Sequence, residues 1–489
     1  MGLQTIQTFC RLRPTGEEDV KYIIHQPIKE DEAEDDKTSI SSKSAPWEAL
    51  DFHLPAHKVN PYSSPKEKKY SFLFRKVFDQ DASQEEVFEI TAKPVLDNVL
   101  SGYNGTIFTY GQTATGKTYT ILGEEFETLD STERGIMPRS ICYLFDKLNV
   151  TKEEEGGHFE VQISYLEIYK DVGYDLLSGT REKRKVTKFD DLQQVISRTD
   201  AKNKLHLVHL STHSAKTKEE ALELFIRGSQ NRILAETYVN DASSRSHCVF
   251  TILLRIKEEK ESTKIQISKM NFVDLAGSER VGKTHNADRS LLAEARNINL
   301  SLHHLQQVIV ALGKTESKVR RPKNKKFRHR DNDKHVHVPY RNTMITSVLR
   351  GSLGGNCLTS MVATVSVQNE NIQETLSTCQ FGQRVARIQN RAVINQSADL
   401  EAVVSRLEEE NRRLRDKLRE ATSSKIEEPL TEEEMQTMFE LVTEYLASED
   451  GEKELEVVEG AKRIQFCYQR LKEYAVSGTK KKKRKGFFG

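Results

Sequence analysis

Tyr110-Gly-Gln-Thr-Ala-Thr-Gly-Lys-Thr-Tyr-Thr120 fits the pattern G-x-x-x-x-G-K-[ST]. In that pattern two glycines, here Gly111 and Gly116, let the backbone curl so that successive N–H groups face a polyphosphate. Lys117 is then placed against the outer phosphates and Thr118 against a magnesium ion. The preceding run Gly105–Tyr110 is apolar and β-branched, as a buried parallel strand is, and a helix can begin at Gly116. Strand, loop and helix therefore follow in the order that a phosphate site needs.

Two further motifs extend this reading. Asn240-Asp-Ala-Ser243-Ser244-Arg245-Ser246-His247 gathers hydroxyls and a guanidinium into one short segment. Asp274-Leu-Ala-Gly277-Ser-Glu279 follows the apolar strand Lys269–Val273. An aspartate at such a strand end can hold magnesium through water, and a glycine three residues on can offer its N–H to a γ-phosphate. Together the three motifs describe a nucleotide switch.

In this order and spacing they resemble the P-loop, switch I and switch II of a kinesin motor domain. Arg11-Leu-Arg13-Pro14, Tyr165–Tyr169, Asp175–Leu177, Val338-Pro-Tyr-Arg341 and Leu353-Gly-Gly-Asn356 add to the likeness, which covers roughly residues 3 to 395. Tyr103–Phe108, Asn299–Leu302, Asn342–Met344 and Ser377–Phe381 look most like the kinesin-9 family. The guanine-reading pattern N-K-x-D is absent from a suitable place, which favours ATP. The resemblance implies an α/β P-loop NTPase fold, with a central mixed, largely parallel sheet, helices on both faces and C-terminal helices after it.

By motif position the resemblance also assigns roles. Gly111, Gln112, Thr113, Ala114, Thr115, Gly116, Lys117 and Thr118 would cradle the phosphates of ATP, with Arg11, Arg13, Pro14 and Tyr119 beside adenine. Thr118 and Ser244 would ligate Mg2+, and Asp274 would hold it through water. Asn240 and Ser243 would line the γ-phosphate and relay the proton, Gly277 would sense that phosphate, and Arg245 would close the pocket in a salt bridge to Glu279, the final proton acceptor.

Length and composition agree with one large α/β unit and an appendage. The chain has 489 residues, with 74 basic against 73 acidic, so electrostatic partners must be met by local patches rather than by net charge. No apolar run reaches the roughly 18 residues that a membrane helix needs, and the start is neither a signal peptide nor a myristoylation match. Six cysteines lie scattered without C-x-x-C spacing, which suits reduced thiols in an intracellular protein. His303, His304, His335 and His337 lack convergent partners at zinc spacing.

Residues 15–68 are polar, include the acidic run Glu30–Asp36, and read as an enlarged surface loop or hairpin. Residues 180–204 read as a charged loop. Leu291–Leu312 has the spacing of a long amphipathic helix, the relay helix of the resemblance, with Leu300 where lysine is frequent. The segment Lys314–His335 carries ten lysines and arginines against three acids. In a kinesin this is the loop facing tubulin, so Lys323, Lys325, Lys326 and Arg328, with Arg280, Lys283 and Arg341, are candidate microtubule contacts. Met344 occupies a place that is often basic. Almost nothing precedes the first strand to make a cover strand.

Ile388–Asn395 resembles a neck linker that ends in a latching asparagine. From Leu400 an apolar repeat at four and three, with Asn411 at an a position, reads as a short parallel coil able to support a weak homodimer through residues 400–421. Thr431-Glu-Glu-Glu434 opens a further helix in capping-box style, Leu455–Tyr474 gives another, and Lys480–Lys485 is a basic terminus. The expected organisation is motor domain 1–387, neck linker 388–395, neck coil 396–425, helical segment 426–477 and basic tail 478–489. A microtubule-activated, plus-end-directed ATPase in the cytoskeleton, in cilia or flagella, is the function implied. The contrasting expectation is a slow ATPase that tethers microtubules. No nucleic-acid partner is expected.

Overall fold

The structure, a computed structural model, describes residues 3–15, 20–25, 47–55, 67–124, 131–155, 157–178, 191–200, 205–237, 245–257, 264–279, 300–314, 337–398, 400–422, 430–447 and 463–474. The chain divides into two units, Met1–Ser397 and Ala398–Gly489.

In the first unit the strands, in chain order, are β1 (Gln4–Thr5), β2 (Gln7–Leu12), β3 (Tyr22–His25), β4 (Glu48–Pro55), β5 (Glu67–Phe74), β6 (Val77–Phe78), β7 (Gly105–Tyr110), β8 (His158–Tyr169), β9 (Val172–Asp175), β10 (Gln193–Thr199), β11 (Leu205–Val208), β12 (His213–Ala215), β13 (His247–Lys257), β14 (Lys264–Asp274), β15 (Leu358–Val365), β16 (Gln389–Asn390) and β17 (Gln396–Ala398). The main sheet runs β11-β10-β9-β8-β13-β14-β7-β15-β2-β6, with β12 on β8 and β17 on β14. Its half from β14 to β6 is parallel, and its half from β8 to β11 is antiparallel. The sheet is thus mixed, with β7 central.

All six residues of β7 are buried, because a parallel strand covered on both faces has no polar side to expose. One face carries Lys93–Leu100, Ile136–Glu155 and Lys218–Thr237, whose Val95, Leu144, Phe145 and Phe225 join one core. The other carries residues 300–314 and Ile372–Val385, through Leu305, Val308, Ile309 and Phe381. There Tyr110, the last residue of β7, stacks on Phe381 with centroids 3.8 Å apart.

Two loop expectations are corrected. Within 15–68, β3 and β4 form with β5 a separate three-stranded antiparallel sheet. The alternation Leu50, Phe52, Leu54 on β4 turns three apolar side chains to one face, and all three are fully buried. The acidic run Glu30–Asp36 lies outside the described residues. Within 180–204, Gln193–Thr199 forms β10, held by β9 on one side and β11 on the other. Its largely exposed side chains explain why its apolar pattern is weak.

At the N-terminal ends of β7, β14 and β15 lie residues 388–395. Gln4↔Asn390 and Thr5↔Gln389 pair β1 with β16, so residues ahead of β2 do pair with this segment. Asn390 is buried, and its Nδ2 donates to the carbonyls of Ser352 and Cys357 (both 2.8 Å) while its Oδ1 accepts from Gly354 N–H at 2.7 Å. Asn395 closes the segment: its N–H donates to Gly102 O at 3.0 Å and its carbonyl accepts from Ile267 N–H at 3.0 Å.

The second unit is helical: Leu400–Thr422, Glu432–Ala447 and residues 463–474. Thr431 and Glu434 exchange hydrogen bonds at the start of the middle helix, as its capping box requires. Met438, Val442 and Cys467 make a small buried cluster, and the Arg415 guanidinium lies 4.5 Å over the Tyr468 ring. Val404, Leu407 and Leu414 are exposed on the first helix, whereas Asn411 and Leu418 are half-buried.

Candidate nucleotide-binding site

The site lies where β7 and β14 end, the place at which parallel strands deliver loops for ligands. Gly111 begins the loop after β7, and a Cβ there would sit 2.2 Å from the carbonyl of Thr364 on β15, so only glycine permits the approach. Thr115 Oγ1 and Thr364 Oγ1 are 2.8 Å apart just beneath. Ala114 and Gly116 have positive φ, 63° and 94°, and Gly116 caps the helix Lys117–Ile121. A Cβ on Gly116 would meet no heavy atom within 4 Å. The loop is therefore curled, closed beneath and open above, which fits a polyphosphate resting on its N–H groups.

Lys117 is buried at 6% exposure and donates to the carbonyl of Gln112 at 2.9 Å. Burial lowers its pKa from the ordinary value, while Asp274 and Glu279 act in the opposite direction. Thr118 Oγ1 donates to Asp274 Oδ2 at 2.8 Å. That pair suits Mg2+, with the hydroxyl as a direct ligand and the carboxylate reaching the ion through water. Asp274 also accepts from Arg232 Nη1 at 2.9 Å, an ion pair whose side chains are 2% and 3% exposed. A buried carboxylate needs such a cation, because uncompensated charge in the interior costs several kcal/mol.

Gly277 lies against the loop: a Cβ there would fall 2.2 Å from Thr113 Oγ1 and 2.5 Å from both Glu279 carboxylate oxygens. Ser278 N–H donates to Gly111 O at 3.0 Å. Glu279 Oε2 accepts from Thr113 N–H at 2.8 Å, and the Thr113 hydroxyl bonds the other oxygen. The expected Arg245–Glu279 salt bridge is not found among the described residues; Thr113, on the phosphate loop packed against Gly277, takes up the carboxylate instead. Arg245 is half-buried directly ahead of β13. Asn240, Ser243 and Ser244 lie outside the described residues.

Among the residues expected beside adenine, Arg11 is buried and donates to Gln84 Oε1 at 2.8 Å and Thr120 Oγ1 at 3.1 Å, with its guanidinium 4.9 Å from the Tyr119 ring centroid. It thus serves as the support under Tyr119. The Tyr119 hydroxyl bonds Glu133, and burial followed by that carboxylate raises the phenol pKa. Arg13 donates to the Ala114 carbonyl, tying the strand end to the loop. Pro14 follows it.

Two residues here, Arg232 and Asn371, escaped the sequence motifs, and a third, His247, closes one of them without an assigned role. Arg232 sits on Lys218–Thr237, and its only signal was an arginine in an amphipathic helix. His247 is at 3% exposure; its Nδ1 accepts from Ala276 N–H at 3.0 Å and its Nε2 lies 2.8 Å from Ser301 Oγ. Asn371 accepts from Gln112 Nε2 at 3.0 Å and joins the loop to the start of Ile372–Val385.

Of the candidate track contacts, Arg341 is exposed in the turn Tyr340–Asn342. Arg280, Lys283, Lys323, Lys325, Lys326 and Arg328 lie outside the described residues. Met344 is buried and would be struck by a Cβ on Gly173, so an apolar residue there is a packing requirement. Leu300, in contrast, is 48% exposed.

The family model described as kinesin motor domain matches residues 16–388. The chain is 38% identical over 369 residues to kinesin-like protein KIF15 of Rattus norvegicus, covering 75% of this chain and 24% of that protein. It is 35% identical over 415 residues to kinesin-like protein KIF9 of Homo sapiens, covering 83% and 45%. The chain therefore spans about a quarter of the length of the first curated relatives it matches. A solved structure described as that of a fast kinesin, with implications for ATPase mechanism and interactions with microtubules, aligns with TM-score 0.61 at 29% identity, over 80% of this chain and 94% of that one.

Proposed function

Because this chain belongs to the kinesin motor domain family, we propose that it is a microtubule-activated ATP hydrolase that moves along microtubules toward their plus end. The observation that carries this reading is one sheet with two equipped ends. A curled phosphate loop and Asp274 stand at the strands' C-terminal ends, and a linker held by Asn390 and Asn395 lies at their N-terminal ends. ATP and Mg2+ are the ligands that the donor set fits. Mg2+ would neutralise charge on the β- and γ-phosphate oxygens. Lys117 and the loop N–H groups would hold the phosphates, Gly277 would meet the γ-phosphate, and Glu279, released from Thr113, would take the proton of the attacking water with Asn240, Ser243 and Arg245 arranged around it. Arg341 and the basic segment 314–335 would engage acidic tubulin, in a salt-sensitive way.

Assignment to kinesin-9, and with it a place in cilia or flagella, is supported by the motif likenesses at Tyr103–Phe108 and Ser377–Phe381. The match to KIF9 also runs over more of this chain than the match to KIF15. The helix Leu400–Thr422 would form a weak parallel homodimer, since its Val404, Leu407 and Leu414 are exposed on the coil seam. The proposed organisation remains a motor to residue 387, a linker to 395, a neck helix and a helical tail.

Steady-state ATP turnover with and without microtubules tests the reading. Many-fold activation is expected, falling by at least about 100-fold in Glu279→Ala. Tight microtubule binding without activation would overturn it. The long basic segment favours a second reading, a slow ATPase tether, and microtubule gliding over immobilised protein separates the two because only a motor moves them.

A further inference from the structure

His247 opens β13, three residues after Ser244, yet it points away from any phosphate role. It is wholly buried between two elements: the peptide that precedes Gly277 and the helical residues 300–314. Its Nδ1 accepts the N–H of Ala276 at 3.0 Å, so in the neutral ring the proton lies on Nε2, which donates to Ser301 Oγ at 2.8 Å. Burial, reinforced by the Lys117 and Arg232 cations and opposed by Asp274, holds the imidazole pKa down at about 4. One tautomer therefore persists at neutral pH. Ser301 is itself 7% exposed, and it is followed by Leu302 and Leu305, both buried against the sheet.

We propose that His247 is a positioning residue: a rigid strut that carries displacement of the Ala276–Gly277 peptide to the helix 300–314 through Ser301. This deepens the motor reading above and rests on it. A backbone N–H at residue 277 that binds or releases a phosphate must move the peptide shared with Ala276, and the imidazole ring is fixed to that peptide by a single bond of defined direction. A ring has no torsion between Nδ1 and Nε2, so a shift at one nitrogen appears at the other. The hydroxyl of Ser301 lies near the start of the described helix and bonds His247, and Ser301 is not among the residues assigned to hold nucleotide, so it can be altered without removing a group of that machinery.

Two measurements on the full chain test the strut, with a thermal melt to establish folding of each variant. The first is hydrogen exchange of residues 300–314 with and without a non-hydrolysable ATP analogue. The second is microtubule activation of ATP turnover. In the wild type the analogue should change exchange across 300–314. Ser301→Ala should abolish most of that change and reduce activation about tenfold, the scale of one lost buried hydrogen bond, while analogue affinity and turnover without microtubules stay within about twofold. Ser301→Thr, which keeps the hydroxyl, should restore at least half of both effects. The proposal is overturned if Ser301→Ala leaves exchange and activation unchanged, if it lowers analogue affinity and basal turnover in the same proportion, if threonine fails to rescue, or if the wild-type helix does not respond to the analogue. A wild-type helix that responds without any microtubule activation would sink the motor reading and leave the strut standing.

Discussion

The two ends of the same parallel strands are built from different chemistry. At the C-terminal ends of β7 and β14 the buried polar groups are ions: Lys117, Asp274 and Arg232. At the N-terminal ends the side chains that hold residues 388–395 are amides, Asn390 buried and Asn356 and Asn395 half-buried, with Asn104 bonded behind them to Asn356 O and Lys269 N–H. The contrast follows from what each end must handle. A polyphosphate and its cation bring several charges into a low-dielectric site, and only fixed opposite charges can offset them. Residues 388–395 bring no side-chain charge of that kind to their end beyond Arg391, and neutral amides can return to water at far less expense than a stranded ion. Strands of six to eight residues, at roughly 3.3 Å per residue, keep the two chemistries about 20 Å apart.

The sharpest way to break this comparison is to remove the buried cation. Arg232→Ala leaves Asp274 without its ion-pair partner and should lower unfolding free energy in urea by roughly 3–5 kcal/mol. A loss under about 1 kcal/mol would mean that charge pairing does not hold that end together. Next in size comes a pH effect. His247 has a folded pKa of about 4 against an ordinary 6.5, so between those values the unfolded chain binds a proton that the folded chain does not. Stability should therefore be full above about pH 7 and fall toward pH 4, by roughly 1.4 kcal/mol per pH unit and about 3 kcal/mol over the window. Urea titrations across that range should show the slope in the wild type and a shallower one in His247→Gln. The smallest effect belongs to the amide end: Asn390→Ala should cost roughly 2 kcal/mol, because the carbonyls of Ser352 and Cys357 lose a donor. It should also raise hydrogen exchange of residues 388–395. If it proves as costly as Arg232→Ala, the two ends are not energetically distinct.

Much of the site was legible because its constraints are local. A loop that must present consecutive N–H groups requires glycine where φ is positive or where β15 lies too close, and Gly111 and Gly116 announce both needs within eleven residues. Gly105–Tyr110 shows itself as an apolar, β-branched run and is found as a strand with those bounds. The alternation of Leu50, Phe52 and Leu54 was equally present, but it was obscured by the acidic and proline-rich sequence around it, and β4 becomes visible only when β3 and β5 flank it. Gln193–Thr199 was harder still, since its side chains face outward and its strand character resides in backbone pairing alone.

The sequence by itself determined the phosphate loop, the aspartate and glycine at the end of β14, and the helix at Leu400–Thr422, because spacing along one strand, turn or helix is enough to specify them. The tertiary structure decided everything that needs two distant segments to meet. It paired Arg232 with Asp274 across 42 residues and Thr113 with Glu279 across 166, and it brought Gln4 to Asn390 and His247 to Ser301. The physical reason is that a buried polar group is satisfied by whichever partner the packing brings within about 3 Å, and no local periodicity records that choice.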